Sequence, residues 1–512
     1  MKRLWLLLIL VFCLFWQGRL QAEKLGYALS GGGARGFAHI GVLKVLEEEG
    51  IRPDYLTGTS IGAIIGGLYS MGYSAAEIED ICLSIDWLKI TQDAHQRGNL
   101  YIGQKRWMPY GNVVFELNDK WKPLLPSGVI VGNKINMELF RITAPASQVT
   151  DFSRLPIPFA CVATNLETGQ PEVFHGGSLM QALRASMSIP SLVKPFEINS
   201  NIYIDGGVSQ NLPVEQLHQL GADKVIGIKV NSTLRDKEKL NNLVEILDQT
   251  INIGITRNLN ENLDDCDLLI EPDLSGYSGS DFSRLEEIIA LGEQYARAHI
   301  DEIRDFRDRL GLTPQQPKIG FDKELGIFHI GEIRTQGNRF ISAAKVEEYL
   351  NLKLNRTYTT EHICAAFDKA WNSQVFSTIY PELTPRPDGA YILTVHLKEK
   401  DRKALALNLS YTSDDNLNAG LVLSLNNYLL KNSKLLSEVK LGGRNEFNLD
   451  YVKNFGEEWG AYYRIFSYLN EKTIYNYENH YRVSSSRSLE GGATTGVGLF
   501  AKDLLIGELY LY

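Results

Sequence analysis

Leu25-Gly-Tyr-Ala-Leu-Ser-Gly-Gly-Gly-Ala-Arg-Gly36 is the stretch whose reading decides the fold. A short apolar run, Leu25–Leu29, ends in a glycine loop, Gly31–Gly36. Phe37–Glu49 follows, with Ile40, Leu43 and Leu46 at helical spacing. Strand, tight loop and helix make the opening of an α/β unit. The pattern then repeats. Tyr55–Thr57 is strand-like, Gly58-Thr59-Ser60-Ile61-Gly62 comes next, and Ile61–Met71 is helical. Further strands are expected at Phe159–Thr164, Ile202–Ile204 and Lys224–Val230. This alternation predicts an α/β domain with a mainly parallel sheet.

Three motifs in this domain carry chemistry. In the G-x-S-x-G pattern of Gly58–Gly62, the serine sits on a sharp strand-to-helix turn. Its hydroxyl then lies at a helix N-terminus, where free N–H groups and the helix dipole favour negative charge. The glycine loop has two readings. G-x-G-x-x-G after a first strand also marks dinucleotide binding, which needs an acidic residue at the end of the second strand. Asp54 is near the required distance but precedes its strand. The other reading is an oxyanion hole, in which small residues let backbone N–H groups approach a developing charge and Arg35 adds positive potential. A serine hydroxyl also needs a base. Of His39, His95, His175 and His218, the best histidine is His175, in an expected surface hairpin, and His39 reads as a packed helix residue. Asp205 is better placed, at the end of Ile202–Ile204 and followed by Gly206-Gly207. Ligands of open α/β sheets bind at the carboxyl ends of strands.

The three motifs in this order, GGGxRG, GTSxG and DGG, resemble the patatin-like phospholipases over about residues 25–230. Arg184–Pro190 (RASMSIP) also matches that family's run, while Gly207 stands where many members have alanine. The resemblance implies a three-layer α/β fold and a Ser-Asp dyad without histidine. Ser60 would be the nucleophile and Asp205 its base. Gly31, Gly32, Gly33, Ala34, Arg35 and Gly36 would form the oxyanion hole, and Gly58, Gly62, Gly206 and Gly207 would support the turns. No metal or organic cofactor is implied. The substrate would be a phospholipid or another acyl-ester lipid.

The rest of the chain sets the context. With 512 residues, two or more domains are expected. A net charge of −9 with mixed signs argues against nucleic acid as a partner. Lys2 and Arg3, the apolar run Leu4–Phe15 and a polar stretch ending at Ala22 read as an export signal over residues 1–22. Five cysteines without a C-x-x-C pair point to small buried hydrophobes and not to zinc or redox chemistry. The hydrolase domain is expected over 23–310, with Leu268–Ile270 an edge strand and Asp281–Arg309 one long amphipathic helix. Residues 311–325 read as a linker. Tyr101–Trp121, with Lys105, Arg106, Trp107 and Tyr110, reads as a packed surface loop or a lipid-facing lid.

Residues 326–400 read as β-α-α-β-β and resemble a POTRA domain, an α+β unit that precedes outer-membrane barrels. From 401 to 512 apolar and polar residues alternate, as in Leu405, Leu407, Leu409 and Tyr411 against Ala406, Asn408, Ser410 and Thr412. That period predicts an antiparallel membrane β-barrel, or a soluble sandwich. Only seven or eight strands fit, so a partial barrel is expected. The whole resembles patatin-like autotransporters. This implies an exported protein in the outer membrane of a Gram-negative bacterium, its hydrolase domain periplasmic or at the cell surface. Homo-oligomers are compatible with this plan. Two competing readings remain: a His-based esterase using His175, and a non-enzymatic translocation or binding protein.

Overall fold

The computed structural model describes residues 23–511, apart from 94–112, 119, 125–127, 129, 191, 232–233, 235–236, 238–240, 242, 262, 312–325, 374, 401, 413–415, 427–429, 431–432, 457–458, 479–480 and 502–504. The expected export signal, most of the linker, His95, Lys105, Arg106, Trp107 and Tyr110 therefore lie outside the described residues.

The first part of the chain contributes β1 (Leu25–Leu29), β2 (Tyr55–Thr59), β3 (Val113–Leu117), β4 (Pro123–Leu124), β5 (Phe159–Asn165), β6 (Pro171–Phe174), β7 (Phe196–Ile198), β8 (Asn201–Asp205), β9 (Lys224–Ile228) and β10 (Leu268–Ile270). Eight of these form one sheet, in the order β10-β9-β1-β2-β5-β8-β7, with β6 also paired to β5. From β10 to β5 every pairing is parallel. Helices cover both faces of such a sheet, which is why LGYAL of β1 is buried at every position. The expected edge strand at Leu268–Ile270 is present.

The sheet is mainly parallel as expected, and at its other side β6 and β8 pair antiparallel with β5, and β7 antiparallel with β8. The long helix expected over Asp281–Arg309 is two helices, Leu285–Ala298 and Ile300–Arg309. His299 interrupts them with φ −107° and ψ 24°, and its ring Nδ1 lies 2.9 Å from the Tyr295 carbonyl. Side-chain bonding to a helix carbonyl offers the backbone an alternative to continuing the helix. Ile288, Ile289, Ile303 and Phe306 of these helices are buried in the core.

The next unit holds β11 (Ile327–Gln336), β12 (Arg356–Thr359), β13 (Phe376–Pro385) and β14 (Tyr391–Glu399), with helices Ala343–Leu350 and Thr360–Asn372. The sheet order is β12-β11-β14-β13. The arrangement is β-α-β-α-β-β, so the sequence pattern missed β12. Its Arg-Thr-Tyr-Thr is an exposed edge with no apolar alternation to announce it.

The C-terminal strands β15 (Lys403–Thr412), β16 (Asn416–Asn426), β17 (Ser433–Gly442), β18 (Arg444–Gly456), β19 (Trp459–Glu478), β20 (Tyr481–Ala501) and β21 (Leu505–Leu511) form an antiparallel meander. Among the described residues the sheet is open and does not close into a barrel. Leu407, Leu421, Val439, Phe447 and Leu469 are register partners across five successive strands, and all are exposed. The opposite face is mixed: Ala406, Val422 and Leu436 form a small buried apolar cluster, while Asn448 donates to Glu438 and Arg464 pairs with Asp450 at 2.6 Å. No helix among the described residues is long and apolar enough to cross a membrane.

The segment read as a loop or lid behaves otherwise. Its described part forms β3, which adds antiparallel to β15, Phe115 opposite Leu405 and Glu116 opposite Ala404. An open sheet edge is a template for pairing, and β3 covers this one. Lys403 reinforces the contact, donating to the Asn118 carbonyl at 3.3 Å and lying 4.6 Å over the Trp121 ring.

Candidate active site

The register around β5 determines where the site lies. Val162 of β5 faces Thr59 of β2 on one side and Val173 of β6 on the other. Ala163, the next residue, faces Asp205 of β8 and Glu172 of β6. β2 and β8 therefore occupy the same side of β5, running towards each other and stopping one register position apart. Their carboxyl ends meet head-on, and Ser60 and Asp205 stand at the meeting point. The Ser60 hydroxyl donates to Asp205 Oδ2 at 2.6 Å, and both residues are buried.

Local sequence makes this turn possible. Ser60 caps the helix Ile61–Ser70 with φ 57° and ψ −125°, a conformation costing a non-glycine residue about 1–3 kcal/mol. Gly58 lies in β2 and Gly62 in the helix's first turn. A Cβ on Gly62 would sit 2.5 Å from the Leu29 carbonyl oxygen and 2.6 Å from that of Ser30, so only glycine permits this helix start so close to β1.

Asp205 has both oxygens engaged, Oδ2 by Ser60 and Oδ1 by the Gly207 N–H at 2.8 Å. Gly206–Val208 forms the turn that presents this donor. Burial pushes the Asp205 carboxyl up to about 6, against the lowering effect of the Ser60 hydroxyl and the Gly207 N–H.

The glycine loop abuts Ser60, with Gly33–Phe37 forming a tight 3-10 turn. Its donors are not equivalent. Gly31 N–H is taken by Asn211, through Oδ1 at 3.1 Å and the carbonyl at 3.3 Å. Ala34 N–H is taken by the Gly279 carbonyl at 2.8 Å. Arg35 folds back on the loop, its Nε donating to the Gly32 carbonyl at 3.3 Å, and Gly36 is buried within the turn. Among the described residues, the Gly32 and Gly33 N–H groups have no hydrogen-bond partner.

The histidines stand elsewhere. His39 is buried, donates Nε2–H to the Ser30 carbonyl at 2.9 Å, and is lowered by burial to about 4, so it is a neutral packing residue. His175 is exposed, in the connection from β6 to the helix Leu179–Ser186 and not in a hairpin, and its carbonyl takes the Phe152 N–H. His218 lies in the helix Val214–Leu220, its Nδ1 3.0 Å from the Ala222 carbonyl. Asp54 accepts the Leu25 N–H and the Lys24 ammonium, an anchor for the start of β1 and not a ribose ligand. Cys82 and Cys161 are buried, Cys266 and Cys364 are half-buried, and these four form no disulfide.

Sequence reasoning missed Asn211 and Asn258, and marked Arg184 only as the first residue of a matching run, without a role. Asn211 ties the glycine loop to the Asp205 turn: its N–H donates to Asn258 Oδ1, and Asn258 Nδ2 donates to the Gly207 and Val208 carbonyls. Arg184 is fully buried, donating to Asn136 Oδ1 at 2.9 Å, Ser188 Oγ at 2.5 Å and the Lys194 carbonyl at 3.1 Å. Burial lowers its guanidinium to about 10. Arg184→Ala leaves these acceptors unpaired and a void beside them, which should cost roughly 3–5 kcal/mol, read as a lower urea midpoint.

An α/β sheet with a strained serine elbow and a buried carboxylate facing it defines a class of serine acyl hydrolase sites. Residues 27–218 match the family model described as patatin-like phospholipase. Lysophospholipase NTE1 of Kluyveromyces lactis is 26% identical over 330 residues, covering 60% of this chain and 21% of that protein. Lysophospholipase NTE1 of Saccharomyces cerevisiae is 26% identical over 60% of this chain and 18% of its own length. The chain spans about a fifth of the length of the curated relatives it matches. Among solved structures, VipD from Legionella pneumophila aligns with 55% of this chain and 67% of its own, at 14% identity and a TM-score of 0.29.

Proposed function

We propose that this chain is a lipid acyl hydrolase in which Ser60 is the nucleophile and Asp205 its base. The observation that carries the reading is the 2.6 Å hydrogen bond from Ser60 Oγ to Asp205 Oδ2 at the head-on strand ends. A hydroxyl that must lose its proton to a carboxylate needs this reach. Ser60 Oγ attacks the ester carbonyl carbon as its proton passes to Asp205. The Gly32 and Gly33 N–H groups receive the oxyanion. The tetrahedral species collapses, the alkoxy bond breaks, and Asp205 returns the proton to the leaving alcohol. Water then attacks the acyl-Ser60 ester, gives a proton to Asp205, and the fatty acid leaves as Ser60 recovers its hydrogen. The NTE1 relatives favour a phospholipid or lysophospholipid as substrate.

In this reading the chain divides into a hydrolase at 23–310, a POTRA-like unit at 326–400 and a membrane sheet at 401–512. The exposed row Leu407, Leu421, Val439, Phe447 and Leu469 faces lipid, as on the outside of an outer-membrane barrel. The full chain should then stay with membranes through an alkaline carbonate wash. Release into the supernatant would remove the membrane assignment.

The test of the enzyme is covalent labelling of the full chain in detergent by a fluorophosphonate probe. Labelling at Ser60, absent in Ser60→Ala, is expected. An unlabelled wild-type chain that hydrolyses no short-chain ester would leave the non-enzymatic reading standing.

A further inference from the structure

The helix Leu179–Ser186 and the two residues that follow it bond to the backbone of both members of the proposed dyad. Ser60 N–H donates to Ser186 Oγ at 2.9 Å. Ser186 O–H donates in turn to the Val162 carbonyl at 2.6 Å. Asp205 N–H donates to the Ser188 carbonyl at 2.9 Å. Ser186 and Ser188, two positions apart, thus hold the nucleophile and the base from one segment. Arg184 fixes this segment by donating to Ser188 Oγ. At the helix's other end, Gln181 Nε2 donates to Glu382 Oε2 at 3.1 Å, so the middle unit also holds the helix.

We infer that Ser186 is a positioning residue for acyl transfer, holding the Ser60 elbow in register with Asp205. The physical need is specific. Ser60 has a positive φ that the chain adopts only where its surroundings impose it. Its N–H precedes the helix and has no partner within it. Ser186 Oγ satisfies that N–H while bonding the carbonyl of Val162, whose neighbour Ala163 is the register partner of Asp205. One hydroxyl thereby ties the end of β2 to β5, the strand against which both β2 and β8 are registered. It also removes Ser60 N–H from the oxyanion donors, which leaves that role to the glycine loop. A misplacement on the order of 1 Å between reacting groups can cost about 100-fold in rate.

The inference rests on the Ser60–Asp205 reading, and the experiment separates the two. In the full chain, Ser186→Ala should lower kcat for a short-chain ester by roughly 10- to 100-fold with KM nearly unchanged, and slow fluorophosphonate labelling of Ser60 to match. Ser186→Thr, which keeps the hydroxyl, should recover most of the rate. A purely structural role would lower the melting temperature of Ser186→Ala while kcat per folded molecule stayed within about twofold, and that result overturns the inference. If Ser186→Ala does not fold, Ser186→Cys decides: its weak acceptor must slow labelling, and wild-type labelling in a folded Ser186→Cys rejects the role. Failure of the wild-type chain to label at all would instead defeat the dyad itself.

Discussion

Ser60→Ala is expected to lower kcat/KM for ester hydrolysis by at least about 1,000-fold, and Asp205→Asn by a comparable factor. The reason starts from geometry. Ser60 Oγ is a buried hydroxyl at a helix start, and its side-chain partner is Asp205. Alanine removes the atom that the proposed mechanism acylates. Asparagine nearly preserves the shape of Asp205 and can still accept from Ser60, but it cannot take the proton. In a dyad the two residues act as one unit, so the double variant should be no worse than the more damaged single one. Circular dichroism and melting curves check that both variants fold. Activity within about tenfold of wild type in either variant would reject the dyad. Loss in His175→Ala with Asp205→Asn still active would move the base to the histidine, against its exposed position after β6.

The parts of this site legible in the sequence are those where chemistry imposes a backbone shape. Gly62 must be glycine because the carbonyls of Leu29 and Ser30 crowd its Cα, and such constraints leave particular letters in the sequence. The alternating faces of β15 to β18 are legible for a similar reason, since a period of two is set by strand geometry alone. Direction and partner are not. Nothing in Ile202-Tyr203-Ile204 says whether β8 runs with or against β5, because a buried strand has the same apolar run either way. The motifs bring Ser60 and Asp205 to one place, yet the cause is two opposed strands meeting and not parallel strand ends side by side. β3 pairs with β15 across a long stretch of intervening chain, a contact that no local pattern encodes. The run Arg184–Pro190 is visible as a motif but the role of Ser186 in it is not, and Asn211 is not marked at all, because a single buried hydroxyl or carboxamide has no periodicity, only a place in three dimensions.

The acid limb of the activity profile should reveal Asp205 independently of any substitution. Burial raises its carboxyl to about 6, and the base must be ionised to act. Below about pH 6, kcat/KM should therefore fall about tenfold per pH unit, reaching roughly 100-fold at pH 4. Stability should move the opposite way. The unfolded carboxyl titrates near its ordinary value and the folded one higher, so the folded state holds the proton more tightly. The associated stabilisation is fully present below the unfolded value and is lost as pH rises through about 6. Raising a buried carboxyl from its ordinary value to about 6 corresponds to roughly 3 kcal/mol. Urea unfolding between pH 4 and pH 7 should show that loss in the wild-type chain, and Asp205→Asn should lack it. An activity limb centred near pH 4, with no difference between the two chains in the pH dependence of stability, would mean that the carboxylate is solvated in the working enzyme. The crossing trends have one origin: the ionised carboxylate that the proposed mechanism requires is the form that the buried site holds least well.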